Sequence, residues 1–320
     1  MLQRQDLLLS VSILTNLAAV PQTFCAAGSS EGRITFLRRS DIIPTKRRSI
    51  PRILLSLLAA PHVLEGSRMV SLSRFLSLLE AEKRVEAVFN PWAEFDRVYD
   101  IDGRAPAIRR QNLEGYLRPR LGRARHLLIA EGVGYQGARF SGIPLTSERM
   151  ILGRHPVVRP IHLVSEGESL ARTSNPHHPG LNARQQRDGF AEPTATILWE
   201  VILTNRINPF EVVCWNIFPL HPYDPKKGAL SNRTPTKGEI ERATRYTAMM
   251  IELFPTAQIT AVGAKADWGL KLLGAAHRSV AHPANGHKRQ FSIQLTKILG
   301  EEHVRARHGG SATTNRGCGR

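Results

Sequence analysis

The chain has 320 residues, 42% of them hydrophobic and 22% charged, which suits a soluble globular protein with one substantial core or two small ones. Lysine and arginine number 44 against 27 acidic residues; the net +17 favours polyanionic partners, nucleic acid first and anionic membrane surfaces second. The 3 cysteines are dispersed and give no disulfide framework, and the 12 histidines show no HxxxH or HExxH spacing, so neither a metal nor a cofactor is expected.

Residues 1–70 read as a poorly structured basic extension. An apolar segment, Leu7 to Val20, stands behind a single early arginine and runs toward Ala26-Ala27-Gly28, which mimics a secretory signal but is too short to span a bilayer. Arg38-Arg39 and Lys46-Arg47-Arg48 follow. An export or transit segment and an unstructured extension both fit; the extension, in a cytoplasmic and nucleoid-associated protein, is the favoured expectation. Regular patterning covers 71–303, and 304–320 reads as a disordered tail of Gly, Ser, Thr and Arg.

Leu72, Phe75, Leu76 and Leu79 make one face of a short helix, and Asn90-Pro91-Trp92 opens a loop. Ile108 to Leu121 is expected to be a second helix with arginine on its polar face. Leu127-Leu128-Ile129-Ala130 is a short apolar run of strand type, ending in Glu131 and a glycine loop with Gly132, Gly134, Gly137 and Gly142. Glycine lets backbone N–H groups approach a ligand, but this loop has neither GxGxxG nor P-loop spacing, and a plain strand-to-helix loop fits as well.

Residues 165–192 read as a long polar surface insertion, and Thr194 to Ile207 as a helix. Glu211-Val212-Val213-Cys214-Trp215 is the second strong strand, ending at Asn216, with Cys214 in the core. Thr236 and Glu239 form a capping box for the next helix. Ile259 to Val262 and Ser279-Val280-Ala281 are further strands, the last ending at His282-Pro283, and a final helix runs from about Lys288 to Leu299. Strands alternating with helices imply an α/β fold of three layers, α/β/α, around a central, mostly parallel sheet. Glu131, Asn216 and His282 then all stand at carboxyl ends of strands, the rim where open α/β sheets bind ligands.

Three stretches, AEGVGYQGARFSGIP at 130–144, VCWNIFPLHP at 213–222 and HPANG at 282–286, together resemble the uracil-DNA glycosylase superfamily. The likeness is to its bacterial branch with a Gly-Glu-Ala-Pro-Gly first motif, a strand-end Asn and a His-Pro-Ser/Ala second motif, over roughly residues 85–300. The resemblance implies a monofunctional N-glycosylase that flips uracil or another deaminated base out of DNA and excises it; a non-catalytic DNA-binding module on the same fold is the alternative.

By that resemblance Glu131 and His282 are the catalytic pair, Glu131 positioning water or offsetting positive charge on the sugar and His282 donating to the departing base. Asn216 reads the base, with Gly132, Gly134 and Phe140 beside it, Phe140 either stacking on the base or serving the core. Gly132 stands where the best-known branch carries a water-orienting Asp, Gly134 where it carries a Tyr, and Leu145 where an iron–sulfur branch carries a stacking Phe. Pro283, Ala284, Asn285 and Gly286 form the loop that enters the duplex, and Lys288 and Arg289 are placed to meet phosphates, although a solvated basic turn fits them too. Three dispersed cysteines cannot hold an iron–sulfur cluster.

Overall fold

The computed structural model describes residues 70–83 and 85–309. The chain divides into two units, Met1–Glu65 and Gly66–Arg320, and every described residue belongs to the second. The extension expected before Val70, with its targeting-like segment, lies outside the described residues, as do 310–320.

Helix α1, Leu72–Glu80, starts where the Ser71 side chain accepts from the Arg74 N–H, and it buries Phe75, Leu76 and Leu79. A two-residue strand β1, Val88–Phe89, precedes helix α2, Ala105–Leu117. This helix starts and ends earlier than its periodicity suggests, because Pro106 fits only its first turn and a 3₁₀ turn, Arg118–Arg120, takes over at its end. Its arginines are not all on a polar face. Arg109 is fully buried, held at 2.9 Å by Asp100 and by backbone carbonyls of Pro91 and Glu94.

Strand β2, His126–Gly132, leads into the short helices α3, Ala138–Ser141, and α4, Glu148–Ile151. Then come α5, Ala183–Asp188, and α6, Pro193–Thr204, which begins at its proline rather than at Thr194. Strands β3, Val212–Phe218, and β4, His221–Pro222, precede α7, Lys237–Leu253, whose expected capping box between Thr236 and Glu239 is formed. Strand β5, Gln258–Val262, helix α8, Ala264–Leu272, strand β6, Arg278–Val280, and helix α9, Lys288–Gly309, complete the order. Residues 301–308 contain neither Gly nor Pro, and α9 accordingly runs into the segment expected to be a disordered tail.

The main sheet has the order β3-β2-β5-β6 with every pairing parallel, and β1 and β4 form a separate antiparallel pair. Every residue of β3 is buried, which an α/β sheet covered on both faces requires. Helices α7 and α8 pack on the sheet, and α9 packs on α6. The chain leaves β2 for β3 on one side and then crosses back to β5 on the other. That reversal opens a crevice at the carboxyl ends of β2 and its neighbours, where such sheets take ligands.

The 165–192 insertion is less superficial than its polarity implies. Thr173 and Ser174 are fully buried because the Glu148 carboxylate accepts both of their N–H groups, at 3.0 and 2.9 Å, and the Ser174 hydroxyl. Among the described residues no helix is long and apolar enough to cross a membrane, and no group of three or more His, Cys, Asp and Glu side chains could hold a metal ion.

Candidate active site

Parallel register aligns the strand ends that matter. Ala130 of β2 lies opposite Asn216 of β3, and Val262 of β5 lies opposite Val280 of β6, two residues before His282. Glu131, Asn216 and His282 consequently line one cleft of about 350 Å³, together with Gly132, Gly134, Leu145, Glu192, Arg233, Ala284 and Asn285. Its size suits a small ligand such as a base and its sugar. A depression walled by Glu82, Glu239, Arg242 and Tyr246 holds only about 20 Å³, too little for either. A broader hollow of about 560 Å³, around Arg123, Arg125, Glu211 and Gln258, lies at the opposite, amino-terminal edge of the sheet.

Glu131 is tied to the start of α8, where its Oε1 accepts the Lys265 N–H at 3.1 Å. Gly263 makes that approach feasible. Its φ is +96°, and a Cβ there would stand 2.5 Å from Oε1. Asn216 is 2% exposed, and its Nδ2 donates to the Gly132 carbonyl at 3.1 Å. One amide hydrogen is thus spent on fixing the side chain, while the other hydrogen and Oδ1 stay available.

His282 uses Nδ1 to accept the Ala284 N–H at 3.2 Å. An Nδ1 that accepts is unprotonated, so the neutral ring carries its proton on Nε2, the donor it can offer the cleft. Burial pushes its pKa below the ordinary 6.5, and the negative charge of nearby Glu131 offsets this only in part. A neutral N–H donor is therefore the state at and above neutral pH.

The expected DNA-facing loop splits in two. Ala284, Asn285 and Gly286 are exposed, whereas Pro283 is buried beneath them. Asn285 and Gly286 both have positive φ, 56° and 86°, which turns the chain sharply. Arg289 is exposed, and Lys288 makes an exposed 3.3 Å ion pair with Glu200, a contact too weak to withhold it from a phosphate.

Phe140 does not reach the cleft. It is fully buried, with its ring 4.6 Å from Phe190 and within 3° of parallel, in a small cluster with Leu181. Apolar lining of the cleft comes from Leu145, with Val133 and Pro235. Leu145 adopts φ +52°, unusual for a branched side chain, and the Trp199 indole holds its carbonyl at 3.0 Å. A strained residue kept in place by a tryptophan hydrogen bond is typical of a functional position.

Neither a family model nor a curated protein sequence matches the chain. Its structure is similar to the crystal structure of wild-type SMUG2 of Pedobacter heparinus, with 13% identity and a TM-score of 0.44 over 74% of this chain and 97% of that one. The roles of the cleft residues rest on their own geometry.

Reading the sequence by strand ends misses Glu192 and Arg233. Arg233 is held by Glu239 at 2.6 and 2.8 Å and closes the rim of the cleft. Glu192 precedes Pro193 at the start of α6, where an acidic residue reads as an ordinary helix cap. Yet its side chain caps nothing, and its Oε2 is enclosed without any hydrogen-bond partner. With no donor to offset burial, its carboxyl rises to about 7.

Proposed function

We propose that this protein is a monofunctional DNA N-glycosylase that takes an extruded uracil, or a similar deaminated base, into the cleft and releases it by hydrolysis. The observation that carries this reading is Asn216, immobilised by the Gly132 carbonyl and offering one acceptor and one donor beside a neutral His282. Uracil presents the matching N3–H and C4 carbonyl, whereas cytosine presents the reverse, so one well-held contact separates them by about 1–3 kcal/mol. Nε2–H of His282 then meets the base oxygen on which negative charge grows as the glycosidic bond breaks. Leu145 supplies the apolar surface against the base.

The exposed Ala284–Gly286 loop beside the cleft, followed by Lys288 and Arg289 at the start of α9, supports DNA as the partner, because a helix N-terminus and basic side chains both attract phosphate. Incubation with a uracil-containing oligonucleotide followed by alkali tests the reading in one gel. Strand scission at the uracil alone is the expected result. Tight binding without scission would leave a DNA-binding module in its place.

A further inference from the structure

The chemistry of the cleft is incomplete without a proton acceptor for water. Glu131 spends Oε1 on the backbone of α8 and sits beside His282. Arg233 is bound to Glu239. Among the described residues lining the cleft, Glu192 is the other carboxylate, and it comes from α6 rather than from a strand end.

We infer that Glu192 is the general base of the cleft, taking the proton from the water that attacks C1′ of the deoxyribose. The inference rests on the glycosylase reading and adds to it the group that activates the nucleophile. Three features of the fold support it. Glu192 lines the same cleft as Asn216 and His282, and its Oε2 has no partner although it is enclosed. Pro193, fixed in the first turn of α6, pins the backbone from which the side chain enters. The β2 loop is cut away beneath the carboxyl: a Cβ on Gly134 would lie 3.5 Å from Oε1, and one on Gly137 would collide with Oε2. A structural carboxylate would be expected to gather donors in such a place; this one gathers none.

The step balances within the groups present. As the C1′–N1 bond breaks, its electron pair leaves with the base, and His282 Nε2–H stabilises the resulting anion. A water oxygen bonds to C1′ on the face opposite the leaving base while one of its protons passes to the Glu192 carboxylate. That proton finally returns to the departed base. The net reaction consumes one water and yields the free base and an abasic sugar.

Burial lifts the Glu192 carboxyl to about 7, close to the operating pH that suits a base which must be ionised yet hold a proton in the transition state. The titratable and charged groups sharing its surroundings are Glu131 from β2, Arg233 from the loop before α7, and His282 after β6. Cys214 of β3 is close enough for the Glu192 charge to help burial raise its thiol to about 12.

The test is single-turnover cleavage of a uracil oligonucleotide by the full chain between pH 5.5 and 9. The wild-type rate should rise with pH through about 7, and Glu192→Gln should lose about 10²–10⁴ in rate together with that rising limb. Glu192→Asp, which restores a carboxylate on a shorter arm, should recover part of the rate and the limb. Thermal melts of both variants establish that they fold. Wild-type cleavage with Glu192→Gln within threefold and an unchanged profile overturns the base assignment and leaves the glycosylase reading standing. A rate that falls through pH 7, with the fall lost in Glu192→Gln, also overturns it, since Glu192 would then act as an acid. No scission by the wild type overturns both.

Discussion

The insertion beside α4 and the cleft above β2 are built from the same polar residue types, used in opposite ways. Glu148 is fully buried and accepts from the Thr173 and Ser174 N–H groups and the Ser174 hydroxyl. Glu192 has an enclosed oxygen with no donor at all. Asn112 donates to the Ser141 and Ala171 carbonyls and accepts the Ala171 N–H, whereas Asn216 makes one bond, to Gly132. His282, on the cleft, spends only Nδ1. A buried polar group without a partner lowers stability; Glu192 Oε2 is such an atom in the cleft, and Ser147 Oγ and Arg149 Nε are others beside α4. Glu148 and Asn112 form the saturated set and hold the chain; Glu192, Asn216 and His282 form the unsaturated set and keep polar atoms free toward the cleft.

The largest effect that can break this contrast is on stability. Glu148→Ala strands the close Thr173 and Ser174 N–H groups, the more distant Phe190 N–H and the Ser174 hydroxyl, and should cost about 2–6 kcal/mol at about 1–3 for each of the two close backbone donors. Urea unfolding measures it, and a loss below about 1 kcal/mol would mean that the insertion is not held by Glu148. Next in size is a loss of rate. His282→Ala should cut single-turnover cleavage of a uracil oligonucleotide by about 10²–10³, or about 2.7–4 kcal/mol, as expected for one donor aimed at developing charge. Binding to the abasic product should change far less, because the anion is absent there. Cleavage at the wild-type rate by a folded His282→Ala protein would remove His282 from the unsaturated set.

The saturated half was the harder one to read from sequence. Alternation of apolar runs and helical spacing reports the parallel sheet, and Glu131, Asn216 and His282, read at strand ends, line one cleft. Burial of Arg109, Thr173 and Ser174 is invisible to such patterns, because each depends on partners distant in the chain, Asp100 for the first and Glu148 for the others. Of the two roles the sequence leaves open for Phe140, stacking on the base or serving the core, the structure gives it the second, and a related reason hides this from the sequence. Its neighbour, Phe190, lies fifty residues on at the end of the insertion, and nothing local marks the pair. Glu192 escaped because an acidic residue before Pro at a helix start has an ordinary local explanation, which the absence of a cap hydrogen bond removes.

A smaller effect sharpens the comparison between the two asparagines. Asn216→Asp keeps an acceptor but removes the amide donor that meets the C4 carbonyl, so uracil should lose about 1–3 kcal/mol of its advantage over cytosine. Competing uracil and cytosine oligonucleotides measure the ratio directly. An unchanged ratio at an unchanged rate would show that Asn216 does not touch the base.

The smallest effect separates the two glutamates without any substrate. Glu192 has its carboxyl raised from the ordinary 4.5 to about 7 by burial, so between those values the folded protein holds a proton that the unfolded chain has released. Stability therefore falls as pH rises from about 4.5 and is lowest, on account of this group, above about 7. Replacing the carboxyl by a neutral amide removes the penalty. Glu192→Gln should match the wild type near pH 4 and exceed it at pH 8, with the excess growing through the window between; the full shift corresponds to about 3 kcal/mol, which the half-buried position of Glu192 reduces to about 1–2 kcal/mol. That variant would be more stable and, on the inference above, far less active, the trade expected of a group kept unsatisfied for its reaction. Paired urea titrations at pH 4, 6 and 8 check it. A difference between the two proteins that stays constant over that range would mean that Glu192 does not titrate there, and the contrast with Glu148 would then rest on geometry alone.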